Sequence, residues 1–257
     1  MSGAPVPEQA TGQVSGQVSA KPARPRLRAV VTAREQLSSA RIRLTFGGDD
    51  AAMFIRAEAA QAPGAWIKLF VPRPAGDSVG RAYTLRRFDL GKGSFDVDFV
   101  IHEAGPASSW AEAARPGDRV AFAGPRDGGF TLMPDAQWLV LAGDETALPA
   151  IQAILAHVPA DLPGIVLIEA DRPGEHEAFF AGPLMRLHWV ARGPGDDALA
   201  KALDGLARPP GAGQAWVAGE AGGVVTVRAL LHEKWALDGN HVRAKGYWKR
   251  GAADFRS

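Results

Sequence analysis

A chain of 257 residues with 46% hydrophobic and 22% charged side chains can bury one large core or two modest ones, and its composition is not that of a disordered or fibrous protein. With 29 Lys and Arg against 28 Asp and Glu, the formal charge of +1 lacks the basic excess of a general nucleic-acid binder. The absence of cysteine excludes disulfides and cysteine-ligated iron–sulfur clusters, so any electron-transfer role falls to an organic cofactor or to a partner's metal.

Residues 1–25 are mostly Gly, Ser, Gln, Ala and Pro and hold scarcely any large apolar side chain. They bury too little surface to offset chain entropy and are expected to form a disordered tail. From Leu27 onward, Leu27–Ala33, Ala40–Phe46, Trp66–Val71 and Arg81–Phe88 read as short strands punctuated by Gly, Pro or Asp. Phe95, Val97, Phe99 and Ile101 alternate and define one buried strand face, which leaves Asp96 and Asp98 together on the solvent side. That D-x-D pair has no further ligand cluster beside it and is not read as a metal site. Ala107–Ala114 reads as a helix, and Arg119–Ala123 as a strand ending at a Gly124-Pro125 break. These elements predict an antiparallel six-stranded β-barrel over residues 26–134.

The pattern changes near Pro134. Trp138–Ala142 is a continuous apolar run, the mark of a strand covered on both faces, and it ends in Gly143-Asp144. Helical spacing follows over Glu145–Val158, with Leu148, Ile151, Ile154, Leu155 and Val158 in register. Ile165–Glu169, Leu187–Ala191 and Ala215–Ala218 repeat the strand theme with helices between them, the last over Val224–Trp235. This alternation predicts an α/β unit over residues 135–257, a parallel sheet with helices on its faces and ligands at the carboxyl ends of its strands.

Three segments carry residue types suited to chemistry. Arg81-Ala82-Tyr83-Thr84 puts a guanidinium, an aromatic ring and a hydroxyl near one place, which suits a pyrophosphate, a flat heteroaromatic ring and its polar edge. A solvated arginine and a packing tyrosine are the plain alternative. Gly105–Ser109 would present backbone N–H groups at a helix start to a phosphate, unless Ser108 or Ser109 simply caps that helix. Gly143–Ala150 lies at a strand-to-helix switch, where a helix cap from Asp144 or Thr146 competes with a ligand role. The six histidines are dispersed without H-x-x-x-H spacing, so no zinc site is expected.

R-x-Y-T at 81–84, D-F-V-x-H at 98–102, G-P-A-S-x-W at 105–110, Gly117-Asp118 and G-P-R at 124–126 together resemble the FAD-binding part of the ferredoxin reductase-like superfamily. In this wording they resemble the siderophore-interacting protein family. The resemblance continues through G-D-E-T-A-L-P-A at 143–150, A-G-E at 218–220 and G-Y-W-[RK]-x-G at 246–251. It implies FAD contacts from Arg81, Tyr83, Thr84, Phe99, Val100, His102, Gly105, Ala107, Ser108 and Ser109 in the barrel. From the α/β unit it implies contacts from Asp144, Glu145, Thr146, Ala147 and Trp248, the last on a C-terminal segment returning to the flavin. Gly219 and Glu220 would lie near the nicotinamide, and Lys68, Arg126, Lys249 and Arg250 would receive an anionic ferric chelate.

The implied activity is reduction of ferric siderophores by NADH or NADPH through FAD, releasing Fe(II), with no catalytic side chain and no resident metal. A general flavin or quinone reductase, a non-enzymatic flavin-bearing siderophore-binding protein, and electron supply by a separate ferredoxin remain the alternatives. The chain has neither G-x-G-x-x-G nor a cysteine-containing C-G motif, so its choice between NADH and NADPH is unread. No apolar run approaches the roughly 20 residues of a membrane helix, and no secretory signal pattern opens the sequence. A cytoplasmic monomer is expected.

Overall fold

The computed structural model describes residues 25–73, 76–101, 105–172, 181–195 and 197–252. The tail expected over residues 1–25 therefore lies, Pro25 apart, outside the described residues.

The first half is built from β1 (Leu27–Ser38), β2 (Arg41–Gly47), two short helices α1 (Asp49–Phe54) and α2 (Glu58–Gln61), β3 (Trp66–Pro72), β4 (Ser78–Thr84), β5 (Phe88–Asp89), β6 (Ser94–Val100), α3 (Pro106–Ala113) and β7 (Arg119–Arg126). Its strands pair antiparallel in the order β4-β3-β7-β1-β2-β6-β5. The chain just past β4 closes the circle: Arg86 N donates to Asp96 O at 2.8 Å and Asp96 N to Arg87 O at 3.0 Å. The six long strands thus form the expected barrel, with the two-residue β5 as a spur on β6. Period-2 patterning explains the closure: Ile67, Leu69 and Val71 of β3 and Phe95, Val97 and Phe99 of β6 are wholly buried. Inside, Phe95 packs 5.6 Å from Phe46 and 5.7 Å from Phe122, and Phe54 of α1 plugs onto Phe122 at 5.0 Å. Each such ring contributes about 1.5–3 kcal/mol by burial.

Two sequence expectations are corrected here. Asp96 and Asp98 do not face solvent; they are 9% and 3% exposed. Cross-strand partners cover the outward side of β6: Arg43, opposite Asp98 on β2, grips its two oxygens at 2.6 and 2.8 Å, and Thr45 Oγ1 donates to Asp96 at 2.7 Å. Nor does Gly124-Pro125 end a strand. β7 runs through it to Arg126, which pairs with Trp66, and the proline falls at a register shift between Trp66 and Lys68 where no ladder N–H is needed.

The second half alternates β8 (Trp138–Asp144), α4 (Leu148–Leu155), β9 (Gly164–Ala170), β10 (Met185–Ala191), α5 (Ala198–Asp204), β11 (Gly213–Glu220), α6 (Ala221–Glu233) and β12 (Val242–Trp248). All pairs in its sheet are parallel, in the order β10-β9-β8-β11-β12. One face packs on α5 and α6 through Leu199, Leu203, Val227 and Leu231, the other on α4 through Leu148, Ile151 and Ile154. β8 and β9 are accordingly buried on both sides. The strand order reverses between β8 and β11, so their carboxyl ends, Asp144 and Glu220, flank the crevice where open α/β sheets take ligands. The G-Y-W signature proves to be the end of the fifth strand, β12.

Candidate functional site

At one end of the barrel, β4, β6 and α3 meet. Arg81 and Tyr83 lie two residues apart and share a face of β4. The Tyr83 ring packs on Phe99 (centroids 4.3 Å apart), and Phe99 packs on Trp110 of α3 at 6.0 Å. This aromatic row brings the R-A-Y-T strand against the G-P-A-S-S-W helix. Burial pushes the Tyr83 phenol well above its ordinary pKa, against the pull of Arg81, so it stays a neutral hydroxyl. Thr84, buried, ends β4 opposite Trp66 of β3.

Helix α3 starts after Gly105, which is extended (φ −92°, ψ 127°), with no side-chain cap. The capping alternative for Ser108 and Ser109 is thereby corrected: both sit inside the helix, Ser109 N donates to Gly105 O at 3.0 Å, and Pro106 fills the first position, where its missing N–H is not needed. The first-turn N–H groups have no intrahelical acceptor, and Ala107 and the serines keep that turn small. The Arg81 guanidinium, the start of α3 and the hydroxyls of Thr84 and Ser109 are the donor types that fit a flavin dinucleotide. Phe99 is wholly buried in the row, Val100 is half-buried beyond it, and His102 lies outside the described residues.

The switch point of the parallel sheet is organised by Asp144, 2% exposed. Its Oδ1 accepts from Thr146 N at 2.8 Å and Thr146 Oγ1 at 2.5 Å, and its Oδ2 from Glu220 N at 2.7 Å and Trp248 Nε1 at 2.8 Å. One carboxylate therefore ties the ends of β8, β11 and β12 together. It does not cap α4, whose first flanking residue is Ala147, because three residues of turn intervene. Close approach explains the glycines. A Cβ on Gly143 would lie 2.4 Å from Ala218 O, and Gly219, at φ 137°, would put one 2.6 Å from Asp144 Oδ2. Glu220 caps α6 through Gly222 N (2.5 Å) and Gly223 N (3.0 Å) and accepts from Arg250 N at 3.1 Å. Burial acts to raise its pKa, but these backbone donors, with Arg250 foremost, prevail and hold it below the usual carboxylate value.

Glu145 faces Arg192, which the sequence reading did not single out. Arg192 donates to Glu145 at 2.8 Å and Glu169 at 3.0 Å, pairs with Asp171, and lies 6.0 Å from the Trp248 ring. Burial works against its charge, but the three carboxylates outweigh it and raise its pKa; for Glu169 burial disfavours the carboxylate and raises the pKa against the pull of Arg192. A narrow cleft beside this cluster is lined by Asp144, Glu169, Leu199, Glu220, Val224 and Arg250.

The expected basic residues fall into two groups. Trp66, Lys68 and Phe70 share the outer face of β3. The Arg126 guanidinium lies 5.1 Å from the Trp66 ring, and Lys68 Nζ lies 5.9 Å from Phe70. Lys245, which directly precedes the G-Y-W signature, joins this ledge 4.7 Å from Trp66. Burial pushes its pKa down, with Asp127 opposing and Arg126 reinforcing. Alternation along β12, which sends Lys245 and Tyr247 one way and Gly246 and Trp248 the other, was the available signal. Arg250 turns instead to Pro194 O at 3.2 Å, and Lys249 is exposed, its carbonyl accepting from Ala252 N at 3.0 Å.

An antiparallel barrel leading into a parallel β10-β9-β8-β11-β12 sheet is the ferredoxin-reductase-like fold. Residues 76–129 match the family model of the siderophore-interacting FAD-binding domain, and residues 136–251 that of siderophore-interacting proteins. The chain is 32% identical over 241 residues to the ferric vibriobactin reductase ViuB of Vibrio cholerae, covering 85% of this chain and 87% of ViuB. It belongs to the siderophore-interacting protein family. It is also 35% identical over 202 residues to the mycobactin import ATP-binding/permease protein IrtA of Mycolicibacterium smegmatis, covering 76% of this chain but 23% of IrtA. A siderophore utilization protein from T. fusca superposes with a TM-score of 0.79 at 29% identity, over 90% of this chain and 95% of that structure. Among the described residues, no helix is long and apolar enough to cross a membrane.

Proposed function

We propose that the chain is an FAD-dependent ferric-siderophore reductase fed by NADH or NADPH, with residues 26–134 as its flavin half and 135–257 as its nicotinamide half. The observation that carries this reading is the aromatic row Tyr83–Phe99–Trp110, which joins β4 to α3, in a chain 32% identical to a ferric vibriobactin reductase over 85% of its length. Arg81 and the start of α3, from Gly105 to Ser109, bind the pyrophosphate. Tyr83 lies against the flat ring and Thr84 meets its polar edge. FAD bound there supplies acceptance of a hydride from the nicotinamide and delivery of single electrons to Fe(III).

Gly143 and Gly219 keep the switch point open to backbone approach, while Asp144, Glu145, Thr146, Ala147, Glu220 and Trp248 fix its shape. Lys68 and Arg126, with Lys245 beside them, draw the anionic chelate by a positive field, while Lys249 and Arg250 stand apart from that patch. Loss of a charge from the iron weakens its hold by the chelator's hard oxygen donors, and release follows. No side chain is required as nucleophile or general base. Reduced nicotinamides place the reaction in the cytoplasm. Steady-state turnover with ferric siderophores, free flavins and quinones tests the assignment: the ferric chelate should be the preferred acceptor, and a quinone favoured by orders of magnitude would sink it.

A further inference from the structure

Arg86 is the side chain that joins the barrel ledge to the turn at the sheet's switch point. It follows Thr84 by two residues, just past β4, and is largely buried, at 12% side-chain exposure. Its Nη1 donates across the seam to the carbonyl of Pro149, in the first turn of α4, at 3.4 Å. Its Nε stands 3.6 Å from Asp98 Oδ2, and Asp98 is itself immobilised by the two-pronged grip of Arg43 at 2.6 and 2.8 Å. A chain of polar contacts therefore runs from β2 through β6 and Arg86 to the segment that ends the Asp144–Thr146 turn.

We propose that Arg86 is a positioning residue that sets the separation between the end of β4 at Thr84 and the switch-point turn at Gly143–Thr146. This rests on the flavin role given above to residues 26–134 and the nicotinamide role given to residues 135–257. A methionine has no donors, and the single nitrogen of a lysine does not reproduce the separate Nε and Nη1 contacts to Asp98 and the Pro149 carbonyl. A misplacement of about 1 Å between reacting groups costs on the order of 100-fold in rate.

The test uses the FAD-loaded full chain and its Arg86→Met and Arg86→Lys variants. Anaerobic stopped flow with NADH and with NADPH gives the limiting rate of flavin bleaching and the nucleotide concentration at half-saturation, and hydrogen exchange follows amides 144–155. The limiting rate per bound flavin should fall about 10- to 100-fold in Arg86→Met while half-saturation moves less than about 3-fold, and exchange over 144–155 should rise while that of β1 and β2 does not. An unchanged rate per bound flavin, with only FAD content or melting temperature lowered, would make Arg86 merely structural and overturn the proposal. If neither nucleotide bleaches even the unsubstituted protein, the reductase reading fails by itself. The exchange arm still decides the seam: a rise over 144–155 sustains it, and no rise overturns it.

Discussion

Asp144→Asn changes one atom at the point where three strand ends converge. The carboxylate accepts four hydrogen bonds, at 2.8, 2.5, 2.7 and 2.8 Å, and is 2% exposed. An asparagine retains one accepting oxygen, so it satisfies either the Thr146 pair or the Glu220 and Trp248 pair, and its amide then points donors at donors. Two charge-assisted bonds of about 1.5–3 kcal/mol each are lost. Partial relaxation brings the net cost to about 3–5 kcal/mol, the range for breaking a buried charged network. At about 2–4 °C per kcal/mol for a unit of 150–250 residues, the melting temperature should fall by roughly 6–20 °C. Differential scanning calorimetry at neutral pH reads this directly. A fall of less than about 2 °C would mean that the carboxylate does not carry the junction and that the convergence of β8, β11 and β12 has another cause.

Gly219→Ala should cost roughly 1–3 kcal/mol in chemical denaturation, because a side chain at φ 137° is strained and its Cβ meets Asp144 Oδ2 at 2.6 Å; wild-type stability would contradict the close-approach account. Arg81→Ala should weaken FAD binding by about 1.5–3 kcal/mol in equilibrium dialysis, and full retention of tight FAD would refute its assignment to the pyrophosphate. Lys68→Ala with Arg126→Ala should raise KM for an anionic ferric chelate more than Lys249→Ala does, with flavin content intact; an unchanged salt dependence would mark the pair as bystanders. Glu220 has a lowered folded-state pKa, since the backbone donors from Arg250, Gly223 and Gly222 overcome the raising effect of burial. Its contribution to stability is therefore present above the unfolded carboxylate value of about 4.3 and disappears as pH falls through the lower folded value. Glu220→Gln should remove that component from the acid limb of a pH–stability curve, and superimposable acid limbs would contradict it.

The barrel was legible because alternation such as Ile67, Leu69 and Val71 states directly which face is buried, and β8 because an unbroken apolar run needs cover on both sides. Helices α1 and α2, at six and four residues, are too short for a period of 3.6 to show. In β12, Lys245 and Gly246 interrupt a strand pattern that the parallel ladder with β11 tolerates. Periodicity placed Asp96 and Asp98 on the right face of β6, yet it could not tell that Arg43 and Thr45 would cover that face. Arg86 and Arg192 carry no local signal, and Lys245 carries only the alternation along β12. Each matters through partners distant in sequence, Pro149 for Arg86, Glu145 for Arg192 and Trp66 for Lys245.

The most direct measurement is an anaerobic absorbance titration of the purified protein, first with NADH or NADPH and then with a ferric siderophore. The account predicts a bound flavin that bleaches with the nucleotide and recovers as Fe(II) appears. A flavin that neither nucleotide reduces, or no flavin affinity at all, would contradict it.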